Sequence, residues 1–248
     1  MNLEKVKGDK TVVEAVIFDK DGTLLDFDAF WVAVSEKALE DVLQQLKVKK
    51  DLLLEILEAL GVHNGVTDVN SVLCQGTYQQ ISEIVYKVLI KNDYQVPFTS
   101  VAEMVVGSYE KNVGQGEIKP TCADLNDVLK TLKTWNKKLA VVTTDNEQIT
   151  QKCLKGLGIE RMFDRIYTDD GKNPPKPNAY SALEFCKEYN IKKECVVMVG
   201  DTLTDVEFAR NAGIRMIGFA KDNKNKEFLS KHTNIVISEL SQLLDMIE

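Results

Sequence analysis

The sequence predicts an α/β protein in which a parallel sheet is interrupted by a helical insertion. Val12–Phe18 is a short, nearly continuous apolar run, which is typical of a strand buried on both faces of a parallel sheet. After Pro120, strand and helix patterns alternate, and the long stretch between these two regions has only helical periodicity. We therefore expect one α/β domain formed by residues 1–26 and 116–248, and a helical insert formed by residues 27–115.

The insert is predicted to contain helices that bury one apolar face each. Apolar residues recur at helical spacing from Phe30 to Leu46, and we interpret the aromatic residues of this stripe as part of a bundle core. Ser100 and Glu103 resemble a capping box that opens a later helix. The other predicted helices of the insert are Leu52–Leu60 and Tyr78–Ile90.

The remainder of the chain is predicted to build the rest of the sheet and its covering helices. In order, the pattern predicts a helix from Thr121 to Trp135, strand Leu139–Val142, a helix from Asp145 to Gly158, strand Phe163–Tyr167, helix Asn178–Tyr189, strand Cys195–Val199, helix Asp205–Asn211, strands Arg215–Ala220 and Asn234–Ile237, and a helix from Leu240. Because these strands are expected to be parallel, their carboxyl ends should share one edge of the sheet, where ligands of such folds bind.

The overall charge argues against a nucleic-acid partner. The chain has 38 acidic and 31 basic residues, a formal net charge of -7, whereas binding a phosphate backbone requires clustered Lys and Arg. We also expect no membrane partner, because no apolar stretch approaches membrane-spanning length, and residues 1–5 lack the apolar core of a secretion signal.

The cysteine and histidine content indicates the cellular location and argues against two kinds of site. Five scattered cysteines, an odd number without a Cys-x-x-Cys pair, fit a reducing cytoplasm, so we expect a cytoplasmic location. The two histidines have no metal-ligand spacing between them. A zinc site and a histidine-based triad are therefore not expected.

The first strand ends at two carboxylates separated by one residue. Asp19 and Asp21 can face the same side of an extended backbone while Lys20 turns away. Like charges held this close are costly unless they share a cation or a proton, so the pair suggests a divalent metal, acid–base chemistry, or both. Asp21-Gly22 alone is also a common turn signal. A calcium loop does not fit, because its glycine should stand sixth rather than fourth.

Two later segments could supply groups that bind an anion. Thr143 and Thr144 follow a predicted strand and precede a helix start, which suits either an anion cradle or a local cap. Lys176 lies in the proline-rich segment Asn173–Pro177, which has little freedom to become helical. This lysine could make a fixed phosphate contact, or it could be solvated.

A further strand leads into a second pair of acids. Cys195–Val199 is followed by Gly200 and Asp201, and Asp205 comes four residues after Asp201. If the turn leads into a helix, this spacing brings both carboxylates to one side. The alternative is that Asp205 only caps the helix.

The order of these motifs resembles the haloacid dehalogenase-like (HAD) hydrolase superfamily, and the resemblance covers essentially the whole chain. The insert resembles the helical cap of the branch that includes phosphoglycolate phosphatases and β-phosphoglucomutases. The resemblance implies a Rossmann-like parallel sheet core with an inserted all-helical cap domain. It also implies that the α/β unit is the catalytic domain.

The resemblance assigns catalytic and metal-binding roles. It implies that Asp19 is the nucleophile that forms an aspartyl-phosphate, and that Asp21 protonates the leaving oxygen and then activates water. It implies Mg²⁺ held by the Asp19 carboxylate, the Asp21 backbone carbonyl and Asp201. Asp205 would support this ligand set through hydrogen bonds or a bound water.

The same resemblance assigns the residues that bind the phosphoryl group. Thr143, the N–H of Thr144 and Lys176 would contact its oxygens as charge develops during transfer, with Gly22 also in the substrate-binding loop. The expected partner is a small phosphorylated metabolite. The oligomeric state is not predicted by the sequence.

Within the family, the motifs favour a Mg²⁺-dependent phosphatase that hydrolyses a small phosphate monoester, as phosphoglycolate phosphatases do. Haloacid dehalogenases lack the second aspartate of this motif. Asp21 supplies that aspartate here, so the resemblance points to phosphoryl transfer and not to dehalogenation. A β-phosphoglucomutase-like mutase is the alternative, although Phe27–Val48 lacks the histidine that mutases commonly have there. A phosphoacceptor signalling module or a catalytically silent binding protein are alternatives of a different class.

Overall fold

The computed structural model describes residues 12–247 and divides the chain into two compact units. One unit contains the described residues up to Leu24 together with those from Pro120 onward. The other unit is Leu25–Lys119. The expectation drawn from residues 1–5 about a secretion signal lies outside the described residues.

Strands and helices alternate in the first unit, and helices dominate the second. The strands are β1 (Ala15–Phe18), β2 (Val62–His63), β3 (Val66–Thr67), β4 (Lys138–Val142), β5 (Arg165–Tyr167), β6 (Val196–Gly200), β7 (Arg215–Phe219) and β8 (Val236–Ile237). The helices are α1 (Ala33–Gln45), α2 (Leu52–Ala59), α3 (Val72–Gln75), α4 (Tyr78–Lys91), α5 (Phe98–Asn112), α6 (Leu125–Thr134), α7 (Glu147–Gly156), α8 (Tyr180–Tyr189), α9 (Leu203–Ala212), α10 (Asn223–Leu229) and α11 (Leu244–Ile247). A π-helical turn precedes α1, and short 3₁₀ turns lie at Val113–Gln115, Glu160–Met162, Lys193–Cys195 and Leu240–Leu243.

The first unit is built on a parallel six-stranded sheet in the order β5-β4-β1-β6-β7-β8. β1 lies between β4 and β6, and Phe18 is in register with Val141 on one side and Val199 on the other. The loops after these three strands therefore begin at the same edge of the sheet. This arrangement confirms the predicted α/β class with a Rossmann-like sheet.

Both faces of this sheet are covered, which explains why its strands are continuous apolar runs in the sequence. On one face, Val16 and Phe18 belong to a buried cluster with the apolar residues of α6. On the other face, Ala15 and Ile17 belong to a cluster that includes Phe185 of α8 and residues of α9. Alternate side chains of one strand thus anchor helices on opposite faces.

The second unit is mainly helical, as the sequence predicts, with a short hairpin in addition. Strands β2 and β3 pair antiparallel through a two-residue connection, Asn64-Gly65, in which both residues have positive φ. An Asn-Gly pair with these angles is the preferred hairpin turn. Strands of two residues are too short to produce a periodic pattern, so the hairpin was not predicted.

Several predicted helix starts are wrong by a few residues. The helix predicted from Thr121 begins at Leu125, and the helix predicted from Asp205 begins at Leu203. Helix α5 begins at Phe98 after Pro97, so Ser100 lies inside the helix and does not cap it. Helix α7 is capped by Asn146, whose side chain accepts from the Ile149 N–H, and Asp145 stands one residue before the cap. At α7 two adjacent residues could cap the helix, and the sequence pattern did not distinguish them. At α5 the predicted cap lies three residues after the observed one.

No helix within residues 12–247 combines the length and the apolar character required to cross a membrane.

Helix α9 depends on a reciprocal cap between Thr202 and Asp205. The Thr202 hydroxyl accepts from the Asp205 N–H, and the Asp205 carboxylate accepts from the Thr202 N–H at 3.1 Å. We expect Thr202→Ala to lower the free energy of unfolding by about 1 kcal/mol, because both helix-start hydrogen bonds depend on this pair. Urea unfolding at constant pH measures the change.

Two matched variants test the cap specifically. Thr202→Ser keeps a capping hydroxyl and should stay close to wild type, whereas Thr204→Ala makes the same chemical change two residues later, inside the first turn of the helix, and should cost much less. Equal losses for Thr202→Ala and Thr204→Ala would contradict the capping role.

Candidate active site

The loops after β1, β4 and β6 deliver the predicted site residues to one edge of the sheet. Asp19 follows β1, Thr143 follows β4 and Asp201 follows β6. Because the three strands are parallel neighbours in register, these residues emerge side by side. Lys176 comes from the loop between β5 and α8, and Asp205 comes from the first turn of α9.

Three buried carboxylates converge at this edge. Asp19, Asp201 and Asp205 are 6%, 8% and 0% exposed, and one oxygen from each lies within 4.8 Å of the others. The Lys176 ammonium donates to Asp19 Oδ1 and, at 2.6 Å, to Asp205 Oδ1. One ammonium thus faces three carboxylates, so two negative charges of the cluster are not matched by it.

This crowding changes the acidities of the cluster. Burial raises the pKa of Asp19 to about 7, with Asp205 and Asp21 adding to the rise and Lys176 opposing it. Burial together with Asp19 and Asp205 also raises the pKa of Asp201 well above its ordinary value. Burial by itself would lower the pKa of Lys176, but the Asp19 and Asp205 carboxylates raise it above the ordinary lysine value. The cluster therefore favours a bound cation or a retained proton.

Asp201 is fixed from three directions. The Thr23 hydroxyl donates to Asp201 Oδ1 at 3.1 Å, and the Asn225 side-chain amide donates to the Asp201 carbonyl at 3.1 Å. Gly22 has φ +80°, and a Cβ at this position would lie 2.1 Å from Asp201 Oδ2. The glycine is therefore explained by a tight turn and by the close approach of Asp201. Its predicted contact with substrate stays a prediction.

Both carboxylate oxygens of Asp205 accept hydrogen bonds from protein donors. Its Oδ1 accepts from Lys176, and its Oδ2 accepts from both the N–H and the hydroxyl of Thr202, the latter at 2.7 Å. This suits the predicted supporting role, since Asp205 orients Lys176 and shapes the cluster. The residue that caps α9 is Thr202, and Asp205 is its partner three residues later.

Thr143 is buried and its hydroxyl oxygen accepts from the Asp145 N–H at 3.2 Å. This is the local hydrogen bond that one of the two sequence interpretations predicts. It does not exclude the other, because a hydroxyl that accepts one hydrogen bond still has its own proton to donate. Thr144 is exposed, and no acceptor within residues 12–247 takes its N–H.

A second buried cluster, around Lys20, was not predicted. The Lys20 side chain is fully buried, and its ammonium lies 2.6 Å from Asp21 Oδ1 and 2.8 Å from Asp145 Oδ2. Burial raises the pKa of Asp145 to about 6, although Lys20 opposes the rise. A lysine between the two acids that follow an apolar strand was the available signal, since a buried ammonium requires carboxylate partners. Asp19 and Asp21 are therefore held by different ammonium groups.

Comparisons with known proteins agree with this geometry. A family model described as haloacid dehalogenase-like hydrolase matches residues 13–213. The pyrophosphatase PpaX of Halalkalibacterium halodurans is 30% identical over 124 residues, which are 49% of this chain and 57% of that protein. The phosphoglycolate phosphatase of Thiobacillus denitrificans is 24% identical over 204 residues, 81% of this chain and 80% of that protein. The chain thus spans less than two thirds of the length of the first of these relatives.

A solved structure has the same fold. The candidate HAD hydrolase YfnB of Bacillus subtilis, determined with bound magnesium, superposes with a TM-score of 0.70 at 18% identity, covering 96% of this chain and 99% of that one. The family resemblance inferred from the motifs is confirmed by the family model. The chain therefore belongs to the haloacid dehalogenase-like hydrolases.

Proposed function

We propose that this hydrolase is a Mg²⁺-dependent phosphatase that cleaves a small phosphate monoester through an aspartyl-phosphate on Asp19. The observation that carries the proposal is the position of Asp19, which ends the central strand and lies buried between Lys176 and Asp201. A carboxylate in this setting is close to both a cation site and an ammonium that can bind phosphoryl oxygens. The similarity to a pyrophosphatase and to a phosphoglycolate phosphatase supports phosphate-ester or phosphoanhydride hydrolysis.

The residues of the cluster fit Mg²⁺. The candidate ligands are oxygens, which this hard cation prefers, and the cluster has two negative charges that Lys176 does not match. We propose that Asp19, Asp201 and the backbone carbonyl of Asp21 hold the ion. When bound, Mg²⁺ would neutralise charge on the transferring phosphoryl group. The magnesium in YfnB supports this assignment for a protein of the same fold.

The side chains divide the reaction into two steps. Asp19 attacks phosphorus as the bond to the leaving oxygen breaks, and Asp21 gives its proton to that oxygen. Asp21 then accepts a proton from the water that attacks the aspartyl-phosphate, which releases inorganic phosphate and restores both acids. Lys176, the Thr143 hydroxyl and the Thr144 N–H hold the phosphoryl oxygens throughout.

The proposed substrate is a small phosphorylated metabolite such as 2-phosphoglycolate, with inorganic pyrophosphate as the second candidate because of the PpaX relative. The formal net charge of -7 argues against a polynucleotide. A cytoplasmic location belongs to the same proposal, supported by the five free cysteines.

The nucleophile is tested by Asp19→Asn, which removes the attacking carboxylate with little change of shape. We expect release of inorganic phosphate from a panel of phosphorylated metabolites and pyrophosphate to fall by about 10³-fold or more. EDTA should abolish release by the wild type, and added Mg²⁺ should restore it. Asp127→Asn is the matched control, because this carboxylate is 85% exposed on α6.

Undiminished turnover by Asp19→Asn would overturn the nucleophile assignment. Conversion of one sugar phosphate into an isomer without phosphate release would instead favour the mutase alternative.

The phosphate-binding role of Thr143 is tested by Thr143→Val, which removes the hydroxyl but keeps the branched shape. We expect kcat/KM to fall by about 10 to 100-fold, whereas Thr143→Ser should stay within a few-fold of wild type. Thr150→Val is the control, because Thr150 is also buried and its hydroxyl donates to the Asn146 carbonyl of its own helix start. If Thr150→Val and Thr143→Val reduce kcat/KM equally, the loss comes from stability and not from substrate binding.

The raised pKa of Asp19 predicts how the free energy of unfolding depends on pH when the metal is removed. With a pKa of about 7 in the folded protein and 3.8 as the ordinary value, the folded protein holds a proton that the unfolded chain releases between these values. In EDTA, the free energy of unfolding should therefore decrease as pH rises through this window. This group contributes up to about 1.4 kcal/mol per pH unit.

Urea unfolding at about pH 5 and about pH 7, in EDTA, compares wild type with Asp19→Asn. The variant has no carboxyl proton at this position, so its stability should decrease less over the same interval. Identical decreases in the two proteins would contradict the shift.

A further inference from the structure

We propose that Lys20, anchored by Asp145, is a positioning residue that holds the Asp21 carboxylate in the orientation required for proton transfer to the leaving group. This inference rests on the phosphatase function proposed above. It concerns two residues, Lys20 and Asp145, that the sequence motifs leave without a role.

The ammonium of Lys20 lies between two carboxylates in this part of the molecule. Its side chain is 0% exposed, and its ammonium lies 2.6 Å from each Asp21 carboxylate oxygen and 2.8 Å from Asp145 Oδ2. The Asp21 side chain is still 19% exposed, so part of it is accessible to solvent although the lysine contacts both of its carboxylate oxygens. A partly exposed carboxylate that is fixed by a buried ammonium can contact a ligand in one defined orientation.

Asp145 makes this hold rigid because its own backbone is fixed. Its N–H donates to the Thr143 hydroxyl, and its carbonyl accepts from the Asp169 N–H at 2.8 Å. Lys20 therefore connects the loop after β1 to the loop after β4, which also carries the proposed phosphate-binding hydroxyl. A shift of either loop would change the position of Asp21 relative to the phosphoryl group.

The energetic argument favours a role beyond packing. A buried ammonium with two carboxylates is costly to assemble, and apolar replacements of buried ion pairs are often neutral or stabilising. An aliphatic residue would fill this buried loop position at lower cost, yet the chain has lysine here. Orientation of a catalytic group is a sufficient reason, because misplacement by about 1 Å can reduce a rate by about 10²-fold.

The distinguishing measurement is how the rate depends on the leaving group. An alkyl phosphate releases a strongly basic oxygen that needs the proton of Asp21, whereas p-nitrophenyl phosphate releases a stable phenolate that does not. The ratio kcat/KM reports the steps through transfer of the phosphoryl group, before the aspartyl-phosphate is hydrolysed. A defect in proton donation should therefore lower kcat/KM for the alkyl phosphate selectively.

We expect Lys20→Met to lower kcat/KM about 100-fold for the best alkyl phosphate of the metabolite panel, and less than about fivefold for p-nitrophenyl phosphate. Asp145→Ala should cause a selective loss in the same direction, which keeps the test decisive if Lys20→Met does not fold. Asp21→Asn defines the largest selective loss, and adding Lys20→Met to it should cause no further selective loss. Lys138→Met is the control, since it removes a lysine paired with Asp164 and should leave the ratio of the two rates unchanged.

Equal losses on both substrates in Lys20→Met and Asp145→Ala would show that the pair is structural, and this overturns the inference. A further selective loss caused by adding Lys20→Met to Asp21→Asn also overturns it, because Lys20 would then act independently of Asp21. Failure of the proposed function has a different result, in which the wild type itself hydrolyses neither substrate.

Discussion

The burial of three carboxylates at one point is the constraint on which the site depends. Asp19, Asp201 and Asp205 are nearly inaccessible to solvent, and like charges brought together in a poorly solvated place repel strongly. The neighbouring structure serves to hold them there. Lys176 reaches into the cluster from a proline-rich loop, and Gly22 allows the first loop to approach Asp201 closely. A divalent cation would complete the charge balance that Lys176 begins.

The sheet explains how residues so distant in sequence reach this point. Parallel strands in register place three loop starts next to one another, and each loop contributes one polar group. The two acids that follow β1 then belong to separate ion-pair systems, Asp19 with Lys176 and Asp21 with Lys20. We interpret this separation as the physical basis for giving two nearby carboxylates different tasks, one as nucleophile and one as proton carrier.

Much of this could be predicted because it depends on local patterns. Buried parallel strands leave continuous apolar runs, and their polar ends mark the ligand edge, so the sheet class and the family were accessible from the sequence. The role of Lys20 was not, because its partner Asp145 lies more than a hundred residues away and only strand order brings them together. Asn225 was missed for a related reason, since it lies in the short, charged helix α10, whose pattern indicates a solvated surface.

Binding of Mg²⁺ by the protein tests the central claim most directly. Isothermal titration of Mg²⁺ into the metal-free wild type and into Asp201→Asn separates binding by this cluster from binding by scattered surface acids. The account predicts saturable binding of one ion to the wild type and at least about tenfold weaker binding to Asp201→Asn. Equal affinities for the two proteins, or no saturable binding to the wild type, would contradict it.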